Sequence, residues 1–181
     1  AWQFLSVRLS ARRFESYRSG HLAKFVGREH EISLLLGRWR EALDGEGQVV
    51  LLSGEAGIGK SRIARSLYDR LADERYQTIQ FQCSPYHTNT ALYPAINFLR
   101  QAAGLTSHDS AQAQLDKLDA MAIESGIDSQ ETVSLLAELL SIRGDHRYPP
   151  LNVSSEKRKD MTLEALVRHL QGLADRCPLL F

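Results

Sequence analysis

The chain has 181 residues, the size of one domain. Hydrophobic residues make up 43% and charged ones 24%, with 12 Gly and 5 Pro, which excludes a collagenous, mucin-like or wholly disordered chain. Lys+Arg and Asp+Glu both number 22, so no whole-chain positive field exists to attract nucleic acid or an anionic membrane.

The balance conceals an asymmetry. Residues 1–24 carry Arg8, Arg12, Arg13, Arg18 and Lys24 against Glu15 alone, a net +4, and the rest of the chain carries −4. Residues 1–24 read as a solvated linker from a preceding domain. Cys83 and Cys177 are too few for a disulfide framework. One bridge stays open, but free thiols in a reducing, cytoplasmic setting fit better. No apolar run approaches the ~20 residues of a spanning helix, and no signal peptide stands at the start. The chain begins with Ala and stops at Pro178-Leu179-Leu180-Phe181, so a piece of a longer protein is expected.

Glu29 to Leu43 places Ile32, Leu35, Leu36, Trp39 and Leu43 on one helical stripe. Asp44-Gly45-Glu46-Gly47 closes it with turn chemistry. Gln48 to Ser53 (QVVLLS) reads as a buried parallel strand. After a glycine-rich turn, a helix from about Lys60 to Asp73 puts Ile63, Ala64, Leu67 and Leu71 on one face. Gln77 to Cys83 alternates and reads as a second strand, completing a βαβ unit. Helices are then expected from Pro94 (carrying Ile96, Leu99 and Ala103), over about 111–123 and over 131–142. Tyr148-Pro149-Pro150-Leu151 is an extended breaker. Ser154 or Ser155 caps a last helix, in which Leu163, Leu166, Val167, Leu170, Leu173 and Ala174 keep a 3.6 period. The terminal PLLF then opens a third strand.

Gly54-Glu55-Ala56-Gly57-Ile58-Gly59-Lys60-Ser61 spells G-x-x-x-x-G-K-S, the P-loop. A nucleoside triphosphate brings many acceptor oxygens, and backbone N–H groups must wrap them closely. Gly54, Gly57 and Gly59 permit that approach because they lack a Cβ. The following helix offers its unpaired N–H groups and positive dipole end. Lys60 is expected on the β- and γ-phosphates, and the Ser61 hydroxyl on Mg²⁺. The expected strand before and helix after this loop separate it from a glycine turn that binds nothing.

Hydrolysis needs a second part, an apolar strand ending in Asp or Glu. Ala120 to Glu124 and Leu135 to Glu138 fit by letter, but both lie in helical periodicity rich in Ala, Leu and Met. The better candidate is the strand opening at Leu179, and the chain stops before its acidic end. No catalytic residue is therefore expected here, and ATP should bind weakly at most, without useful hydrolysis.

Phe25-Val26-Gly27-Arg28-Glu29, followed by the amphipathic helix, the strand and GEAGIGKS, resembles the STAND class of AAA-related P-loop ATPases. The resemblance implies that Val26, Gly27 and Arg28 line the adenine and ribose pocket. Read from the residues alone, this is a helix-entry turn with Glu29 in the dipole-favoured first turn. A narrower resemblance, over about residues 13–181, rests on Arg13 to Glu15, Phe25 to Arg28, Gln82 to Asn89, Ala91 to Pro94 and Tyr148 to Leu151. These stretches are similar to the ATPase module joined to class III adenylate/guanylate cyclase domains in large bacterial regulators. Similar modules occur in LuxR-type and kinase-linked regulators. The resemblance implies an N-terminal cyclase or other output domain and C-terminal helical repeats as partners in the same polypeptide. The family's Walker B carboxylates, sensors and lid have no counterpart within these residues.

Several residues are ambiguous. Cys83 and His87 are half a metal site by spacing, though a buried Cys beside a polar loop is the simpler reading. His21, His30, His108, His146 and His169 receive no role. Glu55 reads as solvent-facing variation. Arg62 either approaches the phosphates or simply begins the helix. Lys157, Arg158 and Lys159 read as a solvated face rather than a nucleic-acid contact.

The expectation is an α/β, three-layer P-loop NTPase core of AAA/STAND type. It is incomplete at its C-terminus, with a largely helical segment between strands 2 and 3. Residues 25–181 form the N-terminal part of that domain. It binds Mg·ATP as a regulatory switch, contacts neither membrane nor nucleic acid, and leaves the oligomeric state open. A small-molecule kinase is the rival enzyme, although 47 residues precede the P-loop strand. A scaffold with a vestigial P-loop is the non-enzymatic rival.

Overall fold

The computed structural model describes residues 27–83, 85–87, 90–142, 147–148 and 151–181. The proposed linker 1–24, Phe25, Val26, Ser84, Thr88, Asn89, His146, Pro149 and Pro150 lie outside the described residues. The chain forms two compact units that divide after Leu71.

The first unit holds helices α1 (Glu29–Leu43) and α2 (Lys60–Arg70), which pack on each other. Ile32, Leu35 and Trp39 of α1 are buried, as are Ile63 and Leu67 of α2 and Leu71 just beyond it. α1 has the expected limits. α2 ends three residues early, because Leu71 closes it as C-cap.

The expected strand at 48–53 is not formed. Those residues take no ladder bonds among the described residues, and Val49 is 98% exposed. An apolar run becomes a strand only when a second chain segment satisfies its backbone. β-propensity therefore does not decide the outcome here.

The second unit contains β1 (Gln77–Thr78), a 3-10 turn at Pro85–His87, α3 (Tyr93–Ala102), α4 (Ala111–Glu124), α5 (Gln130–Leu139), α6 (Ser155–Ala174) and β2 (Leu179–Leu180). β1 and β2 pair in parallel, with Gln77 opposite Leu179 and Thr78 opposite Leu180. The Gln77 N–H donates to Pro178 O at 2.8 Å, and the Ile79 N–H to Leu180 O at 3.0 Å. The PLLF segment thus pairs as expected, and the helices fill the crossover that a parallel pair requires. The second strand is shorter than the alternating run 77–83, because the ladder extends only as far as its partner.

Each of α4, α5 and α6 starts on a serine. Ser110, Ser129 and Ser154 accept from the N–H groups of Ala113, Thr132 and Lys157, which satisfies one open donor per helix. Leu99 of α3, Leu118 of α4 and Leu136 of α5 meet in one apolar cluster at 0% exposure. Each such side chain contributes about 1.5–3 kcal/mol.

α6 corrects the sequence reading. Its periodic Leu163 and Val167 are exposed, whereas Ala165 and His169 are buried. Gly172 continues that face and lies against the Ser125 carbonyl. Small groups at 165 and 172 let α6 approach its neighbours closely, and no count of apolar letters reveals that. The fold is α/β in its parallel pair but mostly helical. Among the described residues, no helix is long and apolar enough to cross a membrane.

Candidate functional site

The G-x-x-x-x-G-K-S segment is an exposed loop running into α2. Gly54, Gly57 and Gly59 have φ of 154°, 82° and 104°, conformations that a side chain strongly disfavours. A Cβ on Gly54 would also stand 3.1 Å from Ile58 Cγ2. The Ile58 N–H donates to Glu55 O at 3.4 Å, folding the loop back on itself. Gly59 is the left-handed N-cap of α2 and provides no side-chain cap. The first-turn N–H groups of α2 therefore depend on other acceptors.

Lys60 spans this loop. Its Nζ donates to Gly54 O at 2.8 Å and to Glu55 O at 2.9 Å. The ammonium is thus anchored on the loop's first two carbonyls. Ser61 is exposed on the first turn, and the Glu55 and Ala56 side chains are exposed as well. Arg62 is half-buried, with its N–H donating to Gly59 O at 2.9 Å. These residues suit a polyphosphate: glycines at positive φ, an anchored cation, a helix N-terminus and a hydroxyl beside it.

Gly27 and Arg28, also in this unit, both have positive φ, 81° and 69°. The Gly27 N–H donates to Glu29 Oε1 at 3.2 Å. Arg28 Nη1 donates to Glu31 Oε1 at 2.7 Å, and that contact holds the Glu31 carboxyl below its usual range. The sequence reading singled out Arg28 but missed Glu31 as its partner. The i,i+3 spacing of opposite charges was the available signal.

The rejected carboxylate runs are helical, as their periodicity indicated. Glu124 ends α4 and lies 3.8 Å from Arg176 Nη1; Glu138 lies in α5, 2.6 Å from Arg158 Nη1. Arg158 also donates to Leu151 O at 2.8 Å, so it clamps two segments rather than serving as a solvated cation. Cys83 is exposed rather than buried. His87 stacks on Tyr93 with centroids 3.7 Å apart. Among the described residues, no group of three metal-binding side chains gathers. A cleft of about 380 Å³ in the second unit runs between the α4–α5 turn and α6, lined by Asp128, Thr132, Arg168 and Arg176 among others.

The chain is 28% identical over 178 residues to an uncharacterized protein of Rhizobium meliloti (strain 1021). That alignment covers 98% of this chain but 17% of the relative, so the chain spans about one sixth of the relative's length. No solved structure matches it. Residues 24–180 match the AAA ATPase domain, whose members are P-loop proteins of α/β fold that use nucleotides. The chain belongs to the AAA ATPase domain family.

Proposed function

We propose that this chain is the nucleotide-binding part of a STAND-type regulatory ATPase, in which Mg·ATP acts as a conformational switch for neighbouring domains. The observation that carries this reading is Lys60 spanning a loop of positive-φ glycines at the start of α2. Backbone N–H groups from Gly54 through Gly59 would hold the phosphates. Lys60 would add the charge that the β- and γ-oxygens require, and Ser61 would offer its hydroxyl to Mg²⁺. Bound there, the ion would supply positive charge to neutralise the phosphates. Arg62, in the first turn of α2, would lie beside them.

Gly27 and Arg28, with Val26 before them, are the proposed base pocket. The left-handed Arg28 supports it, because such backbone strain in a non-glycine residue clusters at functional turns. Hydrolysis is not assigned to these residues, since Glu124 and Glu138 lie in helices beside arginines. The wider reading makes residues 1–24 a linker and 25–181 the N-terminal part of a three-layer domain. An N-terminal cyclase or other output domain and C-terminal helical repeats would be its neighbours, in a cytoplasmic signalling protein. The segments Gln82 to Asn89, Ala91 to Pro94 and Tyr148 to Leu151 support that context by resemblance.

Titration of a fluorescent ATP analogue onto the chain and onto Lys60→Ala tests the site. The variant should bind at least tenfold more weakly. Equal affinity in the two overturns the proposal.

A further inference from the structure

His169 lies in α6 at 1% exposure, and among the described residues neither Nδ1 nor Nε2 has a hydrogen-bond partner. Buried polar groups are ordinarily paired, and an unpaired one destabilises the fold. The imidazole is tolerable there only while neutral, because no described group around it replaces water for a cation.

One aromatic ring packs against it. The Phe98 ring of α3 is tilted against it at a centroid distance of 5.7 Å. Phe81, just beyond β1, lies 5.7 Å from Phe98, and Phe181, just beyond β2, meets Phe81 edge-on at 4.8 Å. His169, Phe98, Phe81 and Phe181 form a continuous column from the middle of α6 to the ends of both paired strands.

Charged groups on the neighbouring elements are engaged elsewhere or exposed. Arg100 of α3 donates to Leu140 O. On α5, Glu138 pairs with Arg158 and Glu131 is exposed. On α6 itself Arg168 pairs with Glu164, and Glu124 at the end of α4 faces Arg176. Beside the strands, Glu74 and Arg75 are exposed. Burial alone holds the imidazole below its ordinary value.

We propose that His169 is an acid-sensitive release: neutral, it seats the aromatic column that keeps β2 beside β1, and protonation unseats α6 and frees β2. The opened state exposes the imidazole to water, where it titrates near ~6.5. The opened state therefore binds the proton more strongly. The closed state keeps its full stability above ~6.5 and loses it as pH falls below that value, until the lower closed-state value is reached. In that window the closed-to-open ratio drops about tenfold per pH unit.

The Gln77 and Ile79 amides report the release directly, since they donate across the β1–β2 pair. Hydrogen exchange on the whole chain from pH 7.5 to 5, corrected for intrinsic rates, should show their protection falling about tenfold per unit below ~6.5. In His169→Phe and His169→Met the protection should be flat. Flat protection in the unaltered chain, or an equal fall in the variants, overturns the proposal. If both variants misfold, the His169 imidazole is titrated by NMR in the unaltered chain. A midpoint below ~6.5 that coincides with the loss of protection supports the release, and an ordinary midpoint without that loss overturns it.

Discussion

Gly172 of α6 lies so close to the backbone of Ser125 that a Cβ at 172 would stand 1.8 Å from the Ser125 carbonyl oxygen. The obstacle is backbone at the α4–α5 turn, so no side-chain rotation relieves it. Gly172→Ala should therefore destabilise the second unit by about 1–3 kcal/mol, the usual cost of overpacking. The gain of up to ~1 kcal/mol in helix propensity reduces that loss without reversing it. Urea denaturation decides the matter: a variant as stable as the parent would show that α6 stands off from the turn.

Gly59 holds φ at 104° as the N-cap of α2. Gly59→Ala should cost about 1–2 kcal/mol of local strain. It should also weaken binding of the fluorescent ATP analogue at least tenfold, because the loop and the first turn of α2 share this residue. The readout is analogue affinity together with far-UV circular dichroism. Unchanged affinity with unchanged helicity would mean the left-handed cap is dispensable.

Tyr148 donates its hydroxyl to Asp119, and Arg147 pairs with Asp119 and Asp116, at 2.8 Å in each case. Burial, then the bond to Asp119, push the phenol up to about 12. The folded state thus holds the phenolic proton more tightly than an unfolded chain, whose phenol titrates near ~10. The contribution is complete below ~10 and is lost as pH rises from there toward 12. Asp119→Asn should move the Tyr148 midpoint back toward ~10 but not fully, since burial remains. NMR titration of ring-labelled tyrosine measures it, and an unmoved midpoint would assign the whole shift to burial.

Arg158 bonds both the Glu138 carboxylate and the Leu151 carbonyl. Glu138 is about half exposed, at 49%, so Glu138→Gln should stay within ~0.5 kcal/mol of the parent. Arg158→Ala also strips the Leu151 carbonyl of its donor and should cost about 0.5–1.5 kcal/mol. Thermal denaturation of both variants compares the two. An equal loss would place the whole effect in the ion pair.

The local chemistry was legible in the letters. α1 has the limits its stripe dictates, the serine cap and Pro94 mark helix starts, and PLLF pairs as a strand. The P-loop was legible for the same reason. Its glycines, Lys60 and the start of the following helix lie within eight residues, so short-range sterics and backbone bonding define it.

Relations between distant segments were not legible. The run 48–53 has strand-forming residues but no ladder among the described residues, because pairing is decided by a partner that local propensity cannot specify. The apolar letters of α6 pointed to Leu163, Leu166, Val167, Leu170, Leu173 and Ala174. Leu166 packs against the core, but Leu163 and Val167 are exposed, and the helix buries Ala165 and His169 and sets Gly172 against Ser125. Close approach selects small side chains, and hydropathy does not measure it. The sequence by itself determined the glycine-rich loop that Lys60 spans, because a contiguous segment builds it through its own backbone. Tertiary structure alone decided that His169 is sealed from water, because burial is set by Phe98 and the packed helices around it.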